Sequence, residues 1–210
     1  MKPLDELIDL DDPGMPVVNS LLAEATRPFQ LLPPSAANTQ VLLGLQVTTR
    51  STLGAIAHDT GGLLIDHGWL RMLGSGNARL PRNLLDWNTA RGEGYLLVAD
   101  DAAGGFFALN GGALGGDLGA MYYHAPDTLA WEALEIGYTD FLGWALSDRL
   151  SQFYQGLRWD SWQQDMRQVS ANQCISFYPF LWTEEGSVAT SRRTAVDVAE
   201  HYNLTVGQGS

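Results

Sequence analysis

The chain has 210 residues, 45% of them hydrophobic and only 17% charged, a composition that supplies a buried core and lies outside the disordered range. A net charge of −12 argues against binding to phosphate backbones. No apolar run approaches the roughly 18 residues of a membrane span, and Cys174, the single cysteine, leaves no internal disulfide.

The N-terminus, Met1 to Glu6, is acidic and lacks the apolar run of a secretory signal, so a cytoplasmic protein is expected. Leu4, Leu7 and Ile8 have helical spacing, and Asp11-Asp12-Pro13-Gly14 breaks it. Pro16 suits a first helical position, followed by the apolar stripe Val17, Val18, Leu21, Leu22 and Ala25. Phe29 to Leu32 reads as a short extended piece closed by Pro33-Pro34, and Ser35 as the cap of a helix reaching about Gly44. From Leu53 the period shifts. Leu53 to Asp59, the turn Thr60-Gly61-Gly62 and Leu63 to Asp66 read as a β-hairpin. Trp69 to Leu73 is a further strand, and Leu84, Leu85 and Trp87 form a short helix. Tyr95 to Ala99 is a near-continuous apolar strand, turned by Asp100-Asp101 and Gly104-Gly105 into Phe106 to Leu109. A flexible glycine loop, Gly111 to Gly116, leads to a strand from Ala120 to His124, stopped by Pro126.

The last third is helical again, with segments from Tyr138 or Thr139 to Leu146, around Phe153 to Leu157, and near Trp159 to Val169. Ile175 to Tyr178 forms a late strand and Val196 to Tyr202 a last helix. The expected fold is α+β, with a central, largely antiparallel twisted sheet flanked by N-terminal and C-terminal helices. A single domain over 1–210 is expected, with a helical lead-in to about 45, a sheet-rich centre over 53–124 and a helical part from 138.

Charge is unevenly placed. Between Gly92 and Asp148 there is no Lys or Arg, while Glu93, Asp100, Asp101, Asp117, Asp127, Glu132, Glu135, Asp140 and Asp148 all fall there. The preceding piece carries Arg71, Arg79, Arg82 and Arg91 against Asp86. A one-signed surface steers partners of the opposite sign. Asp100, Asp101 and Asp117 are therefore candidate partner-binding residues. Trp69 with Arg71, and Trp87 with Asn88, are candidate interface anchors beside the arginine-bearing segment.

Catalytic constellations are thin. In the expected hairpin His58 and His67 would be diagonal neighbours on one face and Asp59 and Asp66 on the other, which falls short of the three or four ligands a metal needs. Neither metal nor cofactor is expected. Asp100-Asp101 could be a carboxylate pair, but neighbours on a strand face opposite ways and Asp before Gly-Gly is turn chemistry. The Gly111–Asp117 loop lacks the Gly-Lys-Ser/Thr of a phosphate loop. Cys174 lies in an apolar strand where an inert thiol is expected.

The runs Thr60–Gly76 (TGGLLIDHGWLRMLGSG), Tyr95–Ala113 (YLLVADDAAGGFFALNGGA) and Ser176–Thr183 (SFYPFLWT) resemble a bacterial family known only as domain of unknown function 2625, over nearly the whole chain. A strand ending in Ala-Asp-Asp, then Gly-Gly-Phe-Phe-Ala-Leu, Met121–Asp127 and Tyr138–Leu142, is similar to the SUKH superfamily over about residues 92–150. The SUKH resemblance implies an immunity-type protein that binds and blocks a toxin. The expectation is a non-catalytic protein-binding protein with a basic protein partner. Alternatives are an enzyme with Asp100, Asp101, His58 and His67 around a pocket, and a housekeeping homodimer joined by surface tryptophans.

Overall fold

The computed structural model describes residues 1–207. In chain order the elements are α1 (Leu4–Leu7), α2 (Met15–Ala23), β1 (Phe29–Leu32), α3 (Asn38–Leu45), α4 (Thr52–Asp59), β2 (Gly62–Ile65), β3 (Leu70–Leu73), α5 (Leu84–Asn88), β4 (Tyr95–Asp101), β5 (Phe106–Asn110), β6 (Met121–His124), β7 (Trp131–Ala133), α6 (Tyr138–Ala145), α7 (Arg149–Phe153), α8 (Trp162–Met166), β8 (Gln173–Tyr178), β9 (Arg192–Asp197) and α9 (Val198–Thr205). The fold is α+β. Strands β1 to β7 form one seven-stranded antiparallel sheet in sequence order, and β8 pairs with β9 in a separate ribbon. None of the helices among the described residues is long and apolar enough to cross a membrane.

The register sorts side chains onto two faces. Leu63, Met72, Ala99, Phe107 and Tyr123 share one, and Leu64, Arg71, Asp100, Phe106 and His124 the other. Phe107 packs on Phe141 and Trp144 of α6, and Tyr123 on Phe153 of α7, so helices cover the first face. Phe106 meets Tyr202 edge-on, which lays α9 on the second. Both faces are dry, which explains why β2 to β6 read as apolar runs and not as alternating ones.

The expected first hairpin is corrected. Residues 52–59 are helix α4: Ser51 caps it by accepting from Gly54 N–H at 3.0 Å, and Leu53, Ile56 and Ala57 supply an apolar face at i, i+3 and i+4. The partner of β2 is therefore β1, paired Phe29↔Ile65 to Leu32↔Gly62, and the true hairpin turns at Asp66–Trp69 between β2 and β3. Ser35 does not cap α3. Its Oγ accepts from Ala37 N–H and donates to Ser75 O, tying the lead-in to the sheet. Strands β7 and β9 fall outside the expected elements, and α7 to α9 are shifted or shorter than expected.

Gly54 is required by packing. A Cβ there would meet the Thr48 carbonyl oxygen at 2.0 Å. Gly→Ala inside a helix normally gains about 1 kcal/mol, yet Gly54→Ala is expected to lose about 1–3 kcal/mol through overpacking. Gly143→Ala in α6, whose nearest neighbour would be Leu21 Cδ2 at 3.4 Å, should be neutral or stabilising. Urea midpoints of the two variants check this, and a more stable Gly54→Ala protein would refute it.

Candidate functional site

Asp100 and Asp101 end β4 side by side and point into opposite layers. Both are fully buried. The Asp100 carboxylate pairs with Arg71 Nη2 through one oxygen and with Arg82 Nη1 through the other, each at 2.6 Å. Arg71 also donates to Gln173 O and Asp101 O, and Arg82 to Ala171 O and Asn172 Oδ1. Two guanidiniums around one carboxylate thus clamp the sheet to the start of β8 and leave a surplus positive charge. Asp101, on the other face, accepts from the Tyr123 and Tyr154 hydroxyls at 2.8 Å each and from the N–H groups of Ala103 and Gly105. Burial raises its pKa against the pull of these donors.

Neither aspartate reaches the surface, so the expected docking role of Asp100 and Asp101 is corrected: their charge is spent on holding layers together. Arg71 is buried with them. Trp69 is buried against Tyr154, Trp159 and Trp162. Trp87 is buried beneath the guanidiniums of Arg82 and Arg91, at 4.6 and 4.1 Å from its ring. Asn88 uses its amide on Leu84 O and both backbone groups of Leu97, bolting α5 to β4. These former anchor candidates are structural. Of the partner-binding candidates, Asp117 alone is exposed.

Asp117 belongs to a loop that is built, not slack. Asn110 Oδ1 accepts from Gly112 and Leu114 N–H, while its Nδ2 donates to Gly115 O and to Asp117. Tyr122 OH donates to Asp117 Oδ1 at 2.7 Å, and this bond above all lowers the Asp117 pKa. The flexible loop expected from the glycines is therefore corrected to a stapled one, with Leu118 72% exposed at its tip.

His58 and His67 do not form a pair. His58 ends α4 with Nδ1 on Asp59 Oδ1 at 2.7 Å, and His67 sits in the β2–β3 turn with its ring edge-on to Trp162. Asp66, expected to face Asp59, is instead fully buried between Arg27 and Arg158, at 2.7 and 2.6 Å. Arg158 lies over the rings of Trp162 and Trp69. Sequence reasoning missed this second clamp, because its members stand at positions 27, 66 and 158. Among the described residues no three His, Cys, Asp or Glu side chains gather as a metal-holding group. Burial pushes the Cys174 thiol up to about 12, an unreactive state.

Part of the cation-free span collects by topology, while the exposed Asp127 and Glu132 lie apart from it, in the β6–β7 turn and on β7. Glu93 precedes the start of β4, Asp117 lies between the end of β5 and the start of β6, and Glu135 follows the end of β7. Asp140 lies in the first turn of α6. Adjacent antiparallel strands bring these points to one end of the sheet, where Gly111 N–H bonds Gly94 O and Met121 N–H bonds Ile136 O. All four side chains are exposed, and among the described residues none is in an ion pair.

The family described as "Protein of unknown function DUF2625" matches residues 4–201. The chain belongs to that family. DUF2625 thus covers the Asp100 and Asp101 clamps, the stapled loop and the acidic end alike. The chain is 45% identical over 208 residues to the uncharacterised protein YbfG of Escherichia coli (strain K12), covering 97% of this chain and 95% of that one. It is also 45% identical over 176 residues to an uncharacterised protein of Haemophilus influenzae (strain ATCC 51907 / DSM 11121 / KW20 / Rd), covering 80% of this chain and 77% of that one. No solved structure matches the chain. DUF2625 membership accounts for the long resemblance read in the sequence.

Proposed function

We propose that this DUF2625 protein is a non-catalytic binding protein that docks a basic protein partner through the acidic end of its sheet. The immunity-type inhibitor suggested by the SUKH-like pattern is one form of this reading. The observation that carries it is the group of exposed, unpaired carboxylates of Glu93, Asp117, Glu135 and Asp140 beside the protruding Leu118. A charged rim around an apolar contact gives fast, oriented association, whereas the buried aspartates can contribute only rigidity. Rigidity matters here because Asn110 and Tyr122 hold the loop in one shape before any partner arrives, which lowers the entropy lost on binding. An enzyme would need Asp100, Asp101, His58 and His67 around one pocket, and each is engaged in different surroundings. A homodimer built on Trp69 and Trp87 would need those rings at the surface.

The test is affinity capture from the source cell with the wild-type protein and with Glu93→Lys/Glu135→Lys/Asp140→Lys, all exposed positions without side-chain partners, folding being checked by circular dichroism. Wild type is expected to retain a basic protein that the reversed variant loses. Association of the purified pair should slow steeply as salt rises, since exposed charges are screened over about 10 Å at 0.1 M. Equal capture by both proteins, or no basic protein captured by wild type, would defeat the reading.

A further inference from the structure

At the opposite end and opposite half of the sheet from the acidic residues lies a cleft of about 450 Å³. Its floor is the cross-strand row Gln30–Leu64–Arg71 on the face that carries Asp100. Arg79 and Arg167 stand at its rim, both exposed, and neither is in an ion pair among the described residues. Met166 and Val169 give it an apolar wall. No carboxylate lines this cleft, although the chain carries a net charge of −12. The nearest acid along the chain from Arg167, Asp165, is occupied by Trp159 Nε1 and Ser161 Oγ.

We infer that this cleft binds a small phosphate monoester, the dianion held by Arg79 and Arg167 and the organic body lying on Met166 and Val169. Three features combine. The volume falls in the range of small-molecule pockets, about 300–1,000 Å³. Of the Arg71–Asp100–Arg82 clamp, Arg71 alone lines the floor, so the clamp presents a guanidinium to the cleft and no carboxylate. Arg71 is almost fully buried and its Nε–H has no hydrogen-bond partner, a feature it shares with Arg27, Arg91 and Arg158, but Arg71 is the one of the four that lines this cleft. Guanidinium groups suit phosphate by charge and by their forked donors. The site is independent of the acidic end and survives failure of the docking proposal.

The experiment is isothermal titration of the full chain with AMP and with glucose 6-phosphate, alongside adenosine, glucose and inorganic phosphate. Saturable one-to-one binding of at least one ester is expected, with its unphosphorylated counterpart silent and inorganic phosphate weaker. Arg79→Gln/Arg167→Gln should weaken that ester at least about tenfold, while Arg192→Gln, exposed on β9 outside the cleft, should not change it. No saturable binding of either ester up to about 10 mM overturns the inference. So does inorganic phosphate binding as tightly as the ester, or affinity unchanged in the double variant.

Discussion

Replacing Asp100 with alanine is expected to cost about 3–5 kcal/mol of stability, the range for removing one partner of a buried ion pair. The reason is what it leaves behind. Arg71 is almost fully buried, so its guanidinium could not regain water, and Arg82 would lose the same carboxylate. Removing the charge from both sides should hurt less per group, because well-packed apolar replacements carry no desolvation cost. Asp100→Leu/Arg71→Met is therefore expected to recover part of the loss, although Gln173 O and Asp101 O still forfeit their donor. Urea midpoints of Asp100→Leu, Arg71→Met and the double give the coupling directly. An Asp100→Ala protein within about 0.5 kcal/mol of wild type would show that the clamp is not structural.

The second large effect is a loss of stability in mild acid. His124 and His201 flank Phe106 on the α9 side of the sheet and are both buried. His124 Nδ1 and His201 Nε2 have no hydrogen-bond partner among the described residues, and burial above all pushes each pKa down from 6.5 to about 4. His201 packs so closely on Gly104, where φ is +90°, that a Cβ there would meet Nε2 at 2.3 Å and no side chain fits. In the unfolded chain a histidine takes up its proton near pH 6.5, while these stay neutral in the fold until about pH 4. Over that window the unfolded state binds more protons, so stability falls as pH falls, by on the order of 3 kcal/mol per histidine at full extent. Asp101 works the other way: its raised pKa makes the folded state take up a proton first and partly offsets the trend. Urea unfolding at pH 7 and pH 4.5 should therefore show a marked drop that His124→Gln/His201→Asn flattens, whatever those substitutions cost at neutral pH. An undiminished pH slope in the double variant would remove the histidines from the explanation.

Parts of this molecule can be read in the sequence because the physics is local. Tyr95–Ala99, Phe106–Leu109 and Ala120–His124 are apolar runs bounded by turn residues, and the strands lie there. Helix α4 is open to misreading because Gly54 weakens its helix propensity, Ala55 and Ala57 add little to the apolar period, and Thr60-Gly61-Gly62 mimics a hairpin turn. Its decisive signal was the Ser51 cap with Leu53, Ile56 and Ala57 behind it. Strand β9 is polar and largely exposed, held by its register with β8, and β7 is three residues long, so neither has a period to detect. The aspartates illustrate the harder limit. Their opposite orientation follows from strand geometry, but their burial depends on Arg71, Arg82, Tyr123 and Tyr154, which come from four separate elements or connections. The local clue was the apolar setting Val98-Ala99 before them and Ala102-Ala103 after, unsuited to a solvated turn. The acidic end was legible only as a cation-free span. Which of its carboxylates stay in water is decided by the meander.

Hydrogen–deuterium exchange on the protein with its captured partner tests the functional account most directly. Protection on binding is expected at 92–95, 110–120 and 134–140, the backbone around Glu93, Asp117, Glu135 and Asp140, with the segment around Arg79 and 166–171 unchanged. Protection confined to that second region, with the acidic end exchanging as in the free protein, would contradict it.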